Sequence, residues 1–356
     1  MKNLFRVNNF DIIRLIAALQ VAVHHTVGHL EVGHGSSVML SILSYFPGVP
    51  IFFFVSGFLI SRSYENNSQL SEYAQNRILR IFPALIACTF VALVSVYLTG
   101  YLADRNYSIS EFIFWIVGQV SFFQFYNPEF MREFGTGVMN GSLWTVSVEL
   151  QFYIMVPILY WTFGLSKAEN INRKLLSLIL VFMVLHVGKY SLNQEYDESI
   201  LFKLYGVSFI PWIWMFLVGV LFQKNFAFLH RVLAGKALYI LPVYLLTSFF
   251  STEYFGWSMG NGINPILYIA LSFLIFSFAY SFPMLSQSVL KRNDISYGIY
   301  IYHIPVVNIY MYYGYKTDIL HAATAIVTTV VLSGLSWFIL EKNSMKLKKR
   351  PLNSLN

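Results

Sequence analysis

The feature that most constrains this chain is a series of apolar stretches, nearly all about as long as a bilayer is thick. They fall at roughly 10–30, 40–62, 81–101, 142–163, 175–191, 204–222, 237–252, 265–283, 295–314 and 320–340. Crossing a hydrocarbon core of ~30 Å takes ~20 helical residues. Lipid offers no partner for backbone N–H and C=O groups, so spanning segments must be helices or a closed barrel. Composition agrees: 12% of the 356 residues are charged and 56% are apolar, where a soluble domain carries about 25% charged residues. The expectation is an all-α polytopic membrane helix bundle of about ten transmembrane helices. The 237–252 run is short for a full crossing.

Loop charges set the orientation. Lys2 and Arg6 place the amino terminus in the cytoplasm by the positive-inside rule. Ten crossings then put Arg62/Arg77/Arg80, Lys167/Arg173/Lys174, Lys224/Arg231/Lys236 and Lys291/Arg292 inside. The basic tail Lys342, Lys346, Lys348, Lys349, Arg350 joins them, while Glu195/Asp197/Glu198 falls outside. A further apolar stretch, 112–126, would invert every later loop if it crossed, so it is expected to be a re-entrant or interfacial helix. No separate soluble domain is visible: 1–350 reads as one membrane domain and 351–356 as a short polar cytoplasmic tail. The first apolar stretch is long, contains Arg14 and lacks a cleavage site, so it is not a signal peptide. The lone cysteine, Cys88, excludes an internal disulfide. The charge pattern is that of a membrane anchor and not of a nucleic-acid surface.

Polar side chains inside spans are costly, and so point to function. Arg14 and His25 are eleven residues apart, which returns to the same helix face with a rise of ~16 Å. A ligand entering from the cytoplasm would meet Arg14 first and His25 deeper in. Alternatively, Arg14 snorkels to the interface and His25 is a satisfied core histidine. His25 and His29 have an i, i+4 metal-ligand spacing, but no second pair or cysteine cluster accompanies them, and His34 lies in a Gly-rich loop; no metal is expected. Ser56-Gly57 within FFFVSGFLI suits close helix approach. Arg77 and Arg80 share a face at the cytoplasmic boundary, as anchors or as forks for the phosphates of a nucleotide-like donor. Glu149, in the block GSLWTVSVELQFY with Trp144 and Tyr153, must pair, protonate or work. ISYGIYIYHIP sets Tyr297 and His303 on another helix, and Glu341 closes the last span, placed to balance Arg77 or Arg80.

In this order, Arg14 with His25, FFFVSGFLI, Arg77-x-x-Arg80-x-x-Pro83, GSLWTVSVELQFY, ISYGIYIYHIP and Glu341 resemble the acyltransferase-3 family of membrane acyltransferases, across nearly the whole chain. The resemblance implies transfer of an acyl group, usually acetyl, from cytoplasmic acyl-CoA to a cell-envelope carbohydrate such as O-antigen, exopolysaccharide or a lipid-linked oligosaccharide. It implies a catalytic role for His25, and donor binding or site integrity for Arg14, Arg77 and Arg80. Many members carry an added extracytoplasmic hydrolase-like domain, for which this chain ends too early. The last motif also departs, reading Glu341-Lys-Asn where Arg and Pro are frequent.

The expected chemistry has Arg77, Arg80 and Arg14 holding acetyl-CoA or another acyl-CoA. His25 acts as base or acyl carrier, and Glu149 orients it or the acceptor hydroxyl. Ser56, Trp144, Tyr153, Tyr297, His303 and Glu341 line the acceptor site or support it. The partners are acyl-CoA, a carbohydrate and membrane lipids, in a bacterial inner membrane with both termini cytoplasmic; a homo-oligomer is left open. The rival class is a transporter or flippase for envelope glycans, with the buried charges as coupling groups.

Overall fold

A computed structural model of the chain describes residues 5, 7–33, 38–166, 169–196 and 199–348. Of the residues invoked above, Lys2, Arg6, His34, Lys167, Asp197, Glu198, Lys349 and Arg350 lie outside these. The longer helices are α1 (Phe10–His29), α2 (Gly48–Asn66), α3 (Leu70–Leu98), α4 (Ile109–Gln119), α5 (Leu143–Thr162), α6 (Ile171–Tyr196), α7 (Ile213–Lys224), α8 (Phe226–Leu233), α9 (Ala237–Phe255), α10 (Pro265–Ala279), α11 (Ser296–Tyr312) and α12 (Ile319–Ser336). All regular structure among the described residues is helical.

By length and composition, six helices among the described residues can cross a membrane, or seven if the α7–α8 pair, bent by 85°, is one span. Two of the expected stretches differ in form. The 204–222 run is broken: Ile200–Gly206 is a separate helix and α7 starts only at Ile213. Pro211 interrupts the run, since its ring blocks the helix and it has no N–H. The 81–101 run is extended backward, because α3 begins at Leu70 and carries Arg77 and Arg80 inside a continuous helix. The 112–126 stretch holds only the 11-residue α4, ~16 Å long and too short to cross a ~30 Å core.

The chain divides into two compact units, with α1 and α5 each contributing to both. Unit one comprises residues 1–17, 42–68 and 151–292. In it α2 packs on α7 through glycines on both sides. A Cβ on Gly57 would lie 1.9 Å from the Phe216 carbonyl oxygen, and one on Gly219 2.2 Å from that of Phe54. The backbones touch, as helices do where small residues replace side chains in lipid. Phe54, Phe58, Phe222, Phe276 and Tyr280 interlock beside this crossing. Lys224 is not a loose interfacial charge. It is ion-paired with Glu65, which also accepts from the Tyr160 hydroxyl at 2.9 Å and the Gln223 amide at 3.1 Å.

Unit two comprises residues 18–41, 69–150 and 293–356. Its centre is α11, buried along most of its length and packed on α3 and α12. Gly298 permits the α12 approach, since a Cβ there would sit 2.9 Å from that of Ser333. The 99–141 segment is held by an aromatic and methionine core of Tyr101, Trp115, Phe130, Met131, Phe134 and Met139. Ser108 caps the start of α4 by accepting from the Glu111 N–H at 3.1 Å.

Candidate active site

The strongest concentration of sequence-predicted residues is in unit two. His25 on α1 and His303 on α11 are 278 positions apart in the chain, yet His25 Nδ1 lies 2.9 Å from His303 Nε2. The rings stack with centroids 5.2 Å apart and planes 27° from parallel. His303 is fully buried and His25 half-buried. One of the two nitrogens must donate and the other accept. His303 Nδ1 faces the carbonyls of Ile299 and Tyr300 one turn back, without a well-aligned hydrogen bond. With the proton on His25 Nδ1, His303 Nε2 accepts and His25 Nε2 keeps its lone pair; with it on His303 Nε2, His25 Nδ1 accepts. In the first arrangement the His25 imidazole is oriented with Nε2 as its basic nitrogen, which is what a general base requires. The His29 ring lies 5.8 Å from that of His25, tilted by 52°.

The Tyr300 ring meets that of His303 edge-on at 5.9 Å, and its hydroxyl lies 2.5 Å from the Thr145 hydroxyl. Glu149, one turn beyond Thr145 on α5, is half-buried and near the Tyr300 phenol. Trp144 and Tyr297 are half-buried in the same unit. Arg77 lies over the Tyr73 ring at 5.8 Å. Arg80 is ion-paired with Asp294, whose other carboxylate oxygen accepts from the Ser296 hydroxyl at 2.5 Å and its N–H at 3.2 Å. Arg80 is also within electrostatic range of Glu341. Glu341 is 2% exposed and ends a π-helical turn, Trp337–Glu341; Ser336 donates to it at 3.1 Å. π-turns of this kind collect at functional positions.

The remaining candidates fall in unit one. Arg14 bonds to Asp11 at 2.6 Å, Ser56 is half-buried on α2, and Tyr153 is buried on α5. Arg14 and His25 do share one continuous helix. Among the described residues, no group of three His, Cys, Asp or Glu side chains converges as metal ligands would.

Three residues that build the site escape a reading of the sequence. Asp294 lies just outside the apolar run; its two-residue spacing to Ser296 is the local capping signal that marks it. Asn308 is a lone amide in an apolar helix. It accepts from the Thr136 N–H at 2.8 Å and donates to the carbonyls of Val138 and Met139 at 2.8 and 3.0 Å. Asn140 depends on Pro305. Lacking an N–H, Pro305 leaves the carbonyl of Ile301, four residues back, without its helical donor. That oxygen accepts from Asn140 at 2.8 Å and from the Cys88 thiol at 3.2 Å. The 136–140 segment is thus fastened to α11 on both sides of His303.

The fold is all-helical among the described residues, and the site pairs two histidines from α1 and α11 in the unit where a carboxylate holds Arg80. Residues 7–338 match the acyltransferase domain of the acyltransferase-3 family, and the chain belongs to that family of membrane O-acyltransferases. It is 30% identical to Nodulation protein 10 of Rhizobium leguminosarum bv. viciae, over 96% of this chain and 94% of that protein. It is 28% identical to the O-acetyl transferase of Shigella phage Sf6, over 94% and 95% of the two chains. It is also 26% identical to the peptidoglycan O-acetyltransferase OatA of Listeria monocytogenes, over 86% of this chain and 51% of that protein. No solved structure matches.

Proposed function

We propose that the protein is an O-acetyltransferase that moves an acetyl group from cytoplasmic acetyl-CoA to a hydroxyl of a cell-envelope carbohydrate. The observation that carries this reading is the 2.9 Å contact between His25 and His303. With the proton on His25 Nδ1, that contact makes His25 Nε2 the basic nitrogen, in a family of acyl-transfer enzymes. Two of the relatives are named O-acetyltransferases, one of them of peptidoglycan, which favours acetyl as the group and an envelope glycan as the acceptor.

In this mechanism His25 Nε2 takes the proton of the acceptor hydroxyl as its oxygen attacks the thioester carbonyl. The C–S bond breaks, and the proton passes from His25 to the departing CoA thiolate. His303 holds the imidazole and supports its positive charge while the proton is on it. Arg77 and Arg80 hold the anionic donor. Arg80 is aimed by Asp294, and bidentate guanidinium geometry suits phosphate. Glu149 with Thr145 and Tyr300 forms the polar wall beside the pair. The chain crosses a bacterial inner membrane ten times, with α4 re-entrant or interfacial and both termini cytoplasmic. Labelling of cysteines placed at Arg292 and Lys346 by an impermeant reagent from outside intact cells would refute that topology.

The test is CoA release by the purified full chain given acetyl-CoA and a crude envelope glycan fraction. Wild type releases CoA in proportion to glycan, and His25→Ala, inserted and folded, loses the release by ~10²–10⁴-fold. Full activity in His25→Ala refutes the assignment. No release from folded wild type with any glycan fraction refutes the function.

A further inference from the structure

The stretch between α4 and α5 closes around a half-open cavity of about 130 Å³ within unit two. Its lining includes four amide side chains, Gln119, Gln124, Asn127 and Asn140, and the aromatic residues Tyr126 and Trp144. No Asp, Glu, Lys, Arg or His is among the lining residues. Three of the amides are structural. Gln119 donates to the Tyr126 carbonyl at 3.0 Å, Asn127 to that of Gly137 at 2.7 Å, and Asn140 to that of Ile301 at 2.8 Å. They hold the wall rigid.

Gln124 is different. It is 3% exposed, and neither its amide nitrogen nor its oxygen has a partner in the protein. Buried polar atoms are nearly always paired, and a pair of them left unmade is costly. Here a donor and an acceptor are closed off from solvent on a residue that lines a polar cavity. That pairing matches two neighbouring hydroxyls of a sugar, each of which can give and take a hydrogen bond. Aromatic faces beside it suit the apolar C–H face of a pyranose. The absence of charge from the wall selects against uronic acids and phosphorylated sugars, whose anions would be left unpaired.

We infer that this cavity, with Gln124 as its recognition group, is a subsite for an uncharged sugar ring of the acceptor. The inference rests on the O-acetyl transfer reading for its biological sense, but the binding itself can be tested apart from transfer. The floor belongs to the 136–140 segment that Asn308 and the Ile301 carbonyl fasten to α11. A ring bound there is therefore registered against the helix that carries His303.

The experiment is thermal unfolding of the full chain in a sugar-free amphipol, titrated with neutral methyl hexosides and, separately, with methyl glucuronide. Three proteins are compared: wild type, His25→Ala and Gln124→Leu. Replacing an unpartnered amide by an apolar side chain of similar size leaves the unliganded melting temperature unchanged or higher. At least one neutral hexoside raises the melting temperature of wild type and His25→Ala saturably. Gln124→Leu loses that rise, and methyl glucuronide gives none in any of the three. An equal rise in Gln124→Leu, no rise with any neutral hexoside, or an equal response to the glucuronide overturns the assignment. If the rise is found as expected while wild type transfers no acetyl group to any glycan, the transfer reading falls and the sugar site stands.

Discussion

Replacing His303 by Phe keeps a ring in the buried slot but removes the acceptor 2.9 Å from His25 Nδ1. The cost to catalysis is the difference between what that hydrogen bond contributes before and after His25 takes up a proton. A neutral hydrogen bond contributes a net ~0.5–1.5 kcal/mol and one to a charged group ~1.5–3 kcal/mol. The differential is therefore about 1–1.5 kcal/mol, which at ~1.4 kcal/mol per decade is about a five- to twelvefold loss of kcat. Loss of tautomer control adds to this. Removing the base itself, in His25→Ala, costs ~10²–10⁴, so the two variants are separable. The assay is CoA release at saturating acetyl-CoA and glycan, with His303→Gln as the conservative variant. Gln offers an acceptor oxygen and recovers part of the lost rate, which a merely space-filling role would not predict. Undiminished kcat in folded His303→Phe refutes the pairing argument. A loss equal to that of His25→Ala makes His303, not His25, the base.

Two further outcomes follow from packing and charge. Gly57→Ala and Gly219→Ala each place a methyl group inside a backbone carbonyl's radius, so α2 and α7 must separate. Each lowers stability by ~1–3 kcal/mol, read as a lower melting temperature, whereas Gly334→Ala, with nothing within 4 Å, does not. Asp294→Asn keeps the acceptor for Ser296 but removes the charge opposite Arg80. Breaking one side of such a buried pair costs ~3–5 kcal/mol, and adding Arg80→Met recovers much of it. Strict additivity in that double-mutant cycle would show that the pair is not coupled.

What was legible in the sequence follows from what hydropathy and spacing encode. Apolar run length located the helices, because lipid enforces it: α1, α5, α11 and α12 lie within a few residues of their expected bounds. The close approach at Gly57 was readable because a small residue in an apolar helix has few other uses. His25 and His303 stood out as polar groups in spans, but their meeting was not readable, since no periodicity within one helix reports its partner on another. Where a proline ended a run, as at Pro211, averaged hydropathy overran the true helix start. The amides were the least visible. Asn140 and Gln124 lie between α4 and α5, where backbone geometry decides which groups meet, and Asn140 owes its role to a proline 165 positions away. Glu341 is within electrostatic range of Arg80, as its place at the end of the last span suggests, but the direct ion pair of Arg80 with Asp294 is not readable, for the same reason.

Because α11 is fastened to its surroundings near both ends, it works as a ruler. From Asp294, which grips Arg80, to Asn308, which grips the 136–139 segment, are fourteen residues, or ~21 Å at helical rise. His303 is the mark between them. The separation between the ion pair at Arg80 and the 136–139 segment is therefore a count of residues and not an adjustable gap. Adding or deleting one residue between Asp294 and Ile301 would turn His303 by ~100° relative to Asp294. His303 and the 136–139 segment held by Asn308 would turn together, out of register with Arg80. A chain built on such a ruler can vary the side chains around α11, but not the length of this helix.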